Sequence, residues 1–432
     1  AYPDVWLLPD YQTIINQTQV LGEYTSRFVL NAPYVPLEGL LTSWTSFILS
    51  PTSTPENDFI DVLTGDLVGT GPFIYDSIAW EGTVPINVSL SANPHYWGGK
   101  PKIDKLFFRT ITFDPNSGQF PMKQSLSSGE VHLAVNPYFN ESVIDEFRSN
   151  SSFTVQEGIS LTRQDWIVMN NRLINATMRK AISYAFNYSS AIELAPHLFK
   201  KPKSPIPEGI LYHNTTGINI PYFNISMARQ VLKDVNWNNT AGALPADGNV
   251  SAGNAWESLV TEGTPLATYN LTWRHGEGGG AYNFVLGNFT EDLRQIGVKL
   301  ERVNVTPAQW WYQINELYIY HRNMYHFTFL DWTADYNDPS NVINVLYTNK
   351  RIGLNAGQVN DTQVQQWMDD ALVETDPIVR GQLYYQIQKR LIEEIYPNIW
   401  FHHFLRTDVY VSNLRGWYPN GFKNLFKFVY FA

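Results

Sequence analysis

Cysteine is absent from these 432 residues. Disulfides, zinc–thiolate sites and cysteine nucleophiles are therefore excluded, while the redox compartment stays open. Charge is scarce as well: 16% of residues are charged, and 30 basic against 40 acidic side chains leave a net charge of −10. A chain of that balance lacks the basic face that displaces counterions from nucleic acid, and an anionic membrane surface is disfavoured for the same reason. No apolar run approaches the ~20 residues of a membrane-spanning helix, and residues 1–30 carry no signal-peptide pattern. What is plentiful is apolar surface, with 44% hydrophobic and 15% aromatic residues. That supplies one large or two ordinary cores, and the length predicts two or three domains.

Signatures of catalysis and of cofactors are thin. Gly276, Gly278 and Ala281 fit G-x-G-x-x-A between a strand-like and a helix-like stretch, with Glu301 ending the next strand. A dinucleotide would place its pyrophosphate there and its ribose on the acid. The motif sits mid-chain and its acid comes late, so an ordinary glycine turn in a strand–helix–strand unit is the better reading. "GTGPF" (residues 69–73) lacks the Gly-Lys-Ser/Thr of a phosphate loop and reads as a structural turn. His402 and His403 are adjacent, so in a strand they face opposite ways and cannot chelate one metal. Asp335, Asn337 and Asp338 have the outline of a calcium loop without its glycine or distal glutamate, and Pro339 interrupts it. As a hydrolytic carboxylate pair, Asp335 and Asp338 need not converge across a bond. Neither a nucleophile elbow nor HExxH occurs. The expectation is no enzyme, no cofactor and no metal.

Strands and helices mix without a clean repeat. "INVSLSANPHYW" and "KIDKLFFRTITF" read as strands. "PMKQSLSSGEVHLAV" reads as a short helix stopped near Gly129, then a strand. "NATMRKAISYAFN" carries Met178, Ile182 and Ala185 at helical spacing, and "SMARQVLKDVNW" predicts a helix capped by Ser226. In "RGQLYYQIQKRLIEEIYP" the stripe Leu383, Ile387, Leu391 and Ile395 predicts a helix ended by Pro397. The stretch "NWNNTAGALPADGNVSAGNAW" reads as a surface insertion. Fourteen Asn-x-Ser/Thr triplets occur, among them Asn16, Asn87, Asn140, Asn214, Asn249, Asn270, Asn304 and Asn360. Some arise by accident of composition. Their number fits a secreted glycoprotein.

Recognition is the chemistry the sequence favours. In "FLDWTADYNDPSNVINVL", Trp332, Thr333, Asp335 and Tyr336 stand together, and Trp310 and Trp311 lie about twenty residues upstream. Aromatic faces stack on sugar rings or peptide planes, and a carboxylate partly withdrawn from water binds an ammonium group strongly. The plainer reading makes the aromatics core and the acids helix caps. Asp338, directly before Pro339, suits a cap best and leaves Asp335 free.

The order "GTGPF", "ANPHYWGGKPKIDKLFFRTI", "SLSSGEVHLAV", "MRKAISYAFN", "MARQVLKDVNW", "LRQIGVKLE", "DWTADYNDPSN" and "TDPIVRGQLYYQIQKRLIEEIYPNIWFHH" resembles that of the oligopeptide/dipeptide-type (family 5) solute-binding proteins of ABC importers, over nearly the whole chain. The resemblance implies an α/β, two-lobed periplasmic-binding-protein-like fold of type II. Two hinge strands would cross near Leu161 to Trp166 and return near Phe404 to Val409. Lobe I is expected over 1–164 plus 407–432, and lobe II over 165–406. It further implies that ligand is enclosed between the lobes and that Asp335, at the acid position of W-x-A-D-Y, pairs with a peptide's α-amino group. Trp332 and Thr333 would line the same wall, with Tyr336, Trp310, Trp311, Trp166 and Asn170 completing the expected set. The partners implied are an oligopeptide and an ABC permease; some relatives, archaeal ones included, bind oligosaccharides instead. A surface-layer or scaffold protein that kept the fold is the remaining alternative. "EYTSRFVLNAPYVPLEGLL" already matches a segment that follows the family's first part. An N-terminal piece, lost or present as a separate chain, is therefore expected to be missing, and no lipid-anchoring cysteine is present.

Overall fold

In the computed structural model, everything is described except residues 1–12, 49, 51, 55–67, 112–120, 138, 194, 236, 238–243, 246–252, 275–278, 315–324, 351–353 and 423. Two compact units divide the chain, residues 1–45 with 162–404 and residues 46–161 with 405–432. The division points at 161/162 and 404/405 fall inside two long strands, β7 (Phe153–Met169) and β12 (Asn398–Val411). Residues 1–45, expected in lobe I, group with the larger unit. Val35 N–H donates to the Leu372 carbonyl at 2.8 Å, and Leu40 packs against Tyr336, so this segment belongs with the larger unit.

In the larger unit, alternation and parallel pairing build the sheet. The strands β9 (Ala267–Arg274) and β10 (Val298–Val305) pair in parallel, joined by the helix Gly279–Arg294. β11 (Phe327–Thr333) pairs in parallel with β9 and antiparallel with β7, from Phe327 opposite Met169 to Thr333 opposite Arg163. β12 follows in the hydrogen-bonded order, and the short β8 (Phe199–Lys200) pairs with it. The core holds Ile167, Met169, Ile182, Phe289, Phe327 and Phe401, with the rings of Phe289 and Phe327 edge-on at 5.3 Å. A hairpin of β1 (Ile15–Gly22) and β2 (Thr25–Leu30) completes this unit's strands.

Helix ends follow capping chemistry more closely than the apolar pattern. Asn175 accepts from Met178 N–H at 2.9 Å and starts the helix Ala176–Ala185. Asn224, not Ser226, caps Ile225–Asp234, because Ile225 already lies inside the helix. The helix Pro377–Arg390 is capped by Asp376, with proline in its first turn. It then widens into a π turn over Leu391–Ile395 and stops at left-handed Tyr396 (φ 52°). Of the expected stripe, Ile387 and Leu391 are buried and Leu383 and Ile395 half-buried, and Arg380, Tyr384 and Gln388 are buried as well.

The smaller unit carries the antiparallel meander β3 (Phe73–Glu81), β4 (Val84–Ala92) and β5 (Lys105–Arg109). The short helix Pro121–Ser127 stops before Gly129 (φ +77°) and leads into β6 (Leu133–Val135), which pairs with the distal part of β12. Asp408 is buried and fully engaged: Arg406 Nε (2.8 and 2.9 Å), the Asn136 N–H (3.0 Å) and Trp417 Nε1 (2.9 Å) all donate to it. The strands β13 (Leu414–Arg415) and β14 (Tyr430–Phe431) pair nearby. No helix among the described residues is long and apolar enough to cross a membrane.

Gly416 sits at φ +74°, and a Cβ there would lie 1.9 Å from the Phe428 carbonyl oxygen. Backbone cannot yield as a flexible side chain can. Gly416→Ala is expected to cost roughly 2–4 kcal/mol from left-handed strain and overlap together, read as a lower urea midpoint followed by tryptophan fluorescence.

Candidate ligand-binding wall

The acidic turn after β11 is built by two neighbours, Asn341 and Arg380. β11 keeps its pairing with β7 through Ala334, whose N–H reaches the Thr162 carbonyl at 3.4 Å. There the chain leaves the sheet. Asn341, in the helix Ser340–Leu346, accepts the Asp335 N–H at 2.8 Å and the Trp332 Nε1–H at 3.3 Å through one oxygen. Its amide nitrogen donates to Asp335 Oδ2 at 3.0 Å. Asp335 is half-buried, and its Oδ1 has no hydrogen bond from the described residues. One carboxylate oxygen is thus held and the other is open.

Asp338 has the opposite fate. It is buried, and Arg380 grips both its oxygens, Nη1 to Oδ2 at 2.7 Å and Nη2 to Oδ1 at 3.0 Å. It also accepts the Ser340 N–H at 2.9 Å, which is the capping duty the sequence suggests for it. Arg380 spends its Nε on the Ala371 carbonyl at 2.7 Å. Of the turn's two carboxylates after β11, only Asp335 keeps capacity for a further donor. Thr333 is exposed and Trp332 half-exposed beside it.

The other residues expected to bind sit elsewhere. Tyr336 is 5% exposed and packs on Leu40 in a small apolar cluster. Trp310 is buried, with its indole N–H on Thr328 Oγ1 at 2.8 Å; Trp311, the next residue of the helix Pro307–Ile314, is exposed. Trp166 is buried in β7. Asn170 is wholly buried, its amide bonding the Tyr325 carbonyl (3.0 Å) and the Arg172 N–H (3.1 Å). Tyr336, Trp310, Trp166 and Asn170 are thus all buried in the larger unit, with the Trp310 indole and the Asn170 amide hydrogen-bonded there.

A second polar cluster lay beyond the reach of spacing. Asp165 in β7 is fully buried; it accepts Tyr282 O–H at 2.6 Å and Arg163 Nε at 3.3 Å. Burial and that carboxylate push the Tyr282 phenol far above its ordinary range. His402 bonds the Ala191 carbonyl through Nε2 at 2.8 Å and sets Nδ1 3.6 Å from Asp165. The only local sign is Arg163-x-Asp165, alternate residues on one strand face; Tyr282 and His402 are far off in sequence. Among the described residues no cluster of three or more His, Asp or Glu could hold a metal. The strand–helix–strand unit around the glycine motif is present, but Gly276 and Gly278 lie outside the described residues; Glu301 is exposed and pairs with Lys299 at 2.7 Å.

Of the eight sequons named above, Asn16, Asn140, Asn214, Asn304 and Asn360 are exposed and Asn87 is half-buried. Asn270 is half-buried in the sheet, its side-chain oxygen accepting the His326 N–H at 2.8 Å. Asn249 lies outside the described residues.

With this geometry in place, comparison decides the family. The model described as bacterial extracellular solute-binding proteins, family 5 middle, matches residues 2–353. The chain belongs to the family 5 extracellular solute-binding proteins. It is 26% identical over 425 residues to di/tripeptide-binding protein 2 of Pseudomonas aeruginosa, covering 96% of this chain and 71% of that one. The probable di/tripeptide-binding protein 5 of the same organism is 24% identical, with 88% of this chain and 65% of its own length covered. Among solved structures, DppA from Helicobacter pylori in complex with peptide STSA aligns at TM-score 0.71 and 21% identity, over 98% of this chain and 75% of that one. HbpA2 from Haemophilus parasuis aligns at 0.77 and 20%, over 98% and 77%. These structural likenesses establish the fold, the α/β two-lobed type II solute-binding architecture of the large family 5 variety. Family 5 proteins are receptors rather than enzymes, and act outside the cytoplasm.

Removing one partner of the buried pair isolates its energy. Arg380→Met should cost about 3–5 kcal/mol by leaving Asp338 buried and unpaired, while adding Asp338→Asn recovers part of it in a double-mutant cycle of urea unfolding. A pH effect follows from His403, which is buried with neither ring nitrogen hydrogen-bonded among the described residues and is pushed down to about 4, first by burial and then by Lys200. A base depressed in the folded state contributes stability that is present above its unfolded value of about 6.5 and lost as pH falls toward 4. Wild type should lose up to ~3 kcal/mol across that window, and His403→Phe should flatten the loss.

Proposed function

We propose that this chain is an extracellular receptor that captures oligopeptides and delivers them to an ABC-type permease. The observation that carries the reading is Asp335: one carboxylate oxygen is pinned by Asn341, the other is open beside Trp332 and Thr333. A half-buried carboxylate held in place loses little freedom on meeting an ammonium group, and partial desolvation strengthens the attraction. Its relatives include di/tripeptide-binding proteins and a DppA bound to peptide STSA, which supports the same ligand class. In this reading the peptide's α-amino group takes the free oxygen of Asp335, and Thr333 and the indole of Trp332 line the first residue. Trp311 is the one exposed member of the upstream aromatic pair and stays in the proposed ligand set. Cell-surface association and glycans at the exposed sequons Asn16, Asn140, Asn214, Asn304 and Asn360 belong to the same proposal, as does attachment at half-buried Asn87.

A thermal-shift screen of di- to pentapeptides against cello- and malto-oligosaccharides tests it. Free peptides should raise the melting temperature. Asp335→Asn should weaken them by the roughly 2–5 kcal/mol of a broken buried charge pair, and N-acetylated peptides should be weak on wild type. Stabilisation by sugars that ignores the substitution replaces the peptide reading with an oligosaccharide receptor. No response to either ligand class leaves a scaffold protein.

A further inference from the structure

Most lysine amines of this chain that meet a charged neighbour meet an acid. Lys100, Lys123, Lys200, Lys299, Lys350 and Lys389 each pair with a carboxylate. Lys201, directly after β8 in the larger unit, does not. It is half-buried, its Nζ donates to the Pro221 carbonyl, and the same atom stands 3.9 Å over the ring of buried Tyr188. Among the described residues those two groups are its only polar or aromatic partners. The strand before it is well anchored. Phe199 stacks on His402 with ring centroids 4.0 Å apart, and Lys200 reaches Glu208 at 2.5 Å.

Beside Lys201 lies a crevice with room for about 10 Å³, whose wall includes Lys203, Ile220, Ile392, Tyr396 and Trp400. Other polar groups on that wall are spent elsewhere. Tyr188 O–H donates to the Ser183 carbonyl at 3.0 Å, Ser183 Oγ to the Arg179 carbonyl at 2.9 Å, and Asn398 Nδ2 to the Tyr347 hydroxyl at 2.8 Å. Among the described residues no aspartate or glutamate lines the crevice. An ammonium group there has given up water for one carbonyl and one ring face. Burial accordingly pushes the Lys201 amine down to about 8.

A lysine in that condition is a nucleophile, because a sizeable fraction of it is free base near neutral pH. Acylation also suits the surroundings. The amide product keeps an N–H for the Pro221 carbonyl and removes a charge that the crevice leaves uncompensated. The narrow space favours a short acyl group over a bulky one. We propose that Lys201 is a modification site, acylated by small activated acyl donors of about the size of an acetyl group. Nζ attacks the acyl carbon, and the N–C bond forms as the bond to the leaving group breaks. The leaving group departs with the electron pair, and the amine proton passes to solvent. This site does not rest on the peptide-receptor reading.

Competitive labelling of the folded chain with trace acetic anhydride tests it. Rates are normalised to a free amino acid in the same mixture, and labelled lysines are located by tandem mass spectrometry. At neutral pH Lys201 should react about tenfold or more faster than Lys203, which is exposed two residues on. The Lys201 rate should rise with pH and level off above about 8, instead of climbing toward the ordinary lysine value of about 10.4. Ile220→Glu puts a carboxylate on the crevice wall. It should slow Lys201 about tenfold at neutral pH and leave the distant Lys100 unchanged. Asp335→Asn should alter none of these rates, so the fate of the receptor function is read separately. Labelling of Lys201 no faster than Lys203 overturns the proposal, as does a rate that keeps climbing well beyond pH 8. An unchanged Lys201 rate in folded Ile220→Glu overturns it too. Should that variant fail to fold, the wild-type pH profile decides.

Discussion

The acidic turn depends on the buried ion pair between Arg380 and Asp338. Two carboxylates three residues apart in a chain so short of charge would repel one another and compete for the same donors. Arg380 resolves the conflict by neutralising Asp338 with two parallel hydrogen bonds while its third nitrogen is fixed to a backbone carbonyl. Such a pair gains little over an apolar substitute, but leaving either partner alone is costly. Its value here is geometric. With Asp338 fixed against Ser340, the following helix starts at one place, and Asn341 in its first turn is delivered to Asp335 and Trp332.

Asn341 then decides how much of Asp335 remains for a ligand. An asparagine offers both a donor and an acceptor, so it can hold the backbone N–H and one carboxylate oxygen together without adding charge. A lysine or arginine in its place would satisfy the carboxylate outright and close the site. The scaffold arginine sits one residue class away, on Asp338, and that division of labour within a single turn makes one acid structural and the other available.

Much of this was legible in the sequence, and the failures share a cause. The resemblance implies crossings near Leu161 to Trp166 and Phe404 to Val409; the two compact units divide at 161/162 and 404/405. Asp338 was read as the cap; it stands one residue before the Pro339 N-cap and accepts the Ser340 N–H. The assignment of Asp338's charge was out of reach, since Arg380 is 42 residues away. Tyr336 and Trp310 read as ligand aromatics for the same reason. Whether an aromatic faces a ligand or Leu40 is settled by tertiary packing, which periodicity does not encode. The helix Pro377–Arg390 shows a subtler limit: Ile387 and Leu391 of the stripe are buried, but so are Arg380, Tyr384 and Gln388, which an apolar periodicity does not count.

The two shared strands carry a related pattern. Each leaves its division point and soon meets a buried carboxylate: Asp165 in β7, held by Tyr282 and Arg163, and Asp408 in β12, held by Arg406, Trp417 and the Asn136 N–H. These are expensive residues to bury, and each is satisfied wholly within its own unit. A strand tied so firmly on one side cannot slide through the unit that holds it. Each network therefore fixes its strand within its own unit, since breaking charged hydrogen bonds is costly. Buried polar clusters on β7 and β12 thus anchor these strands, and the sequence places one in each unit.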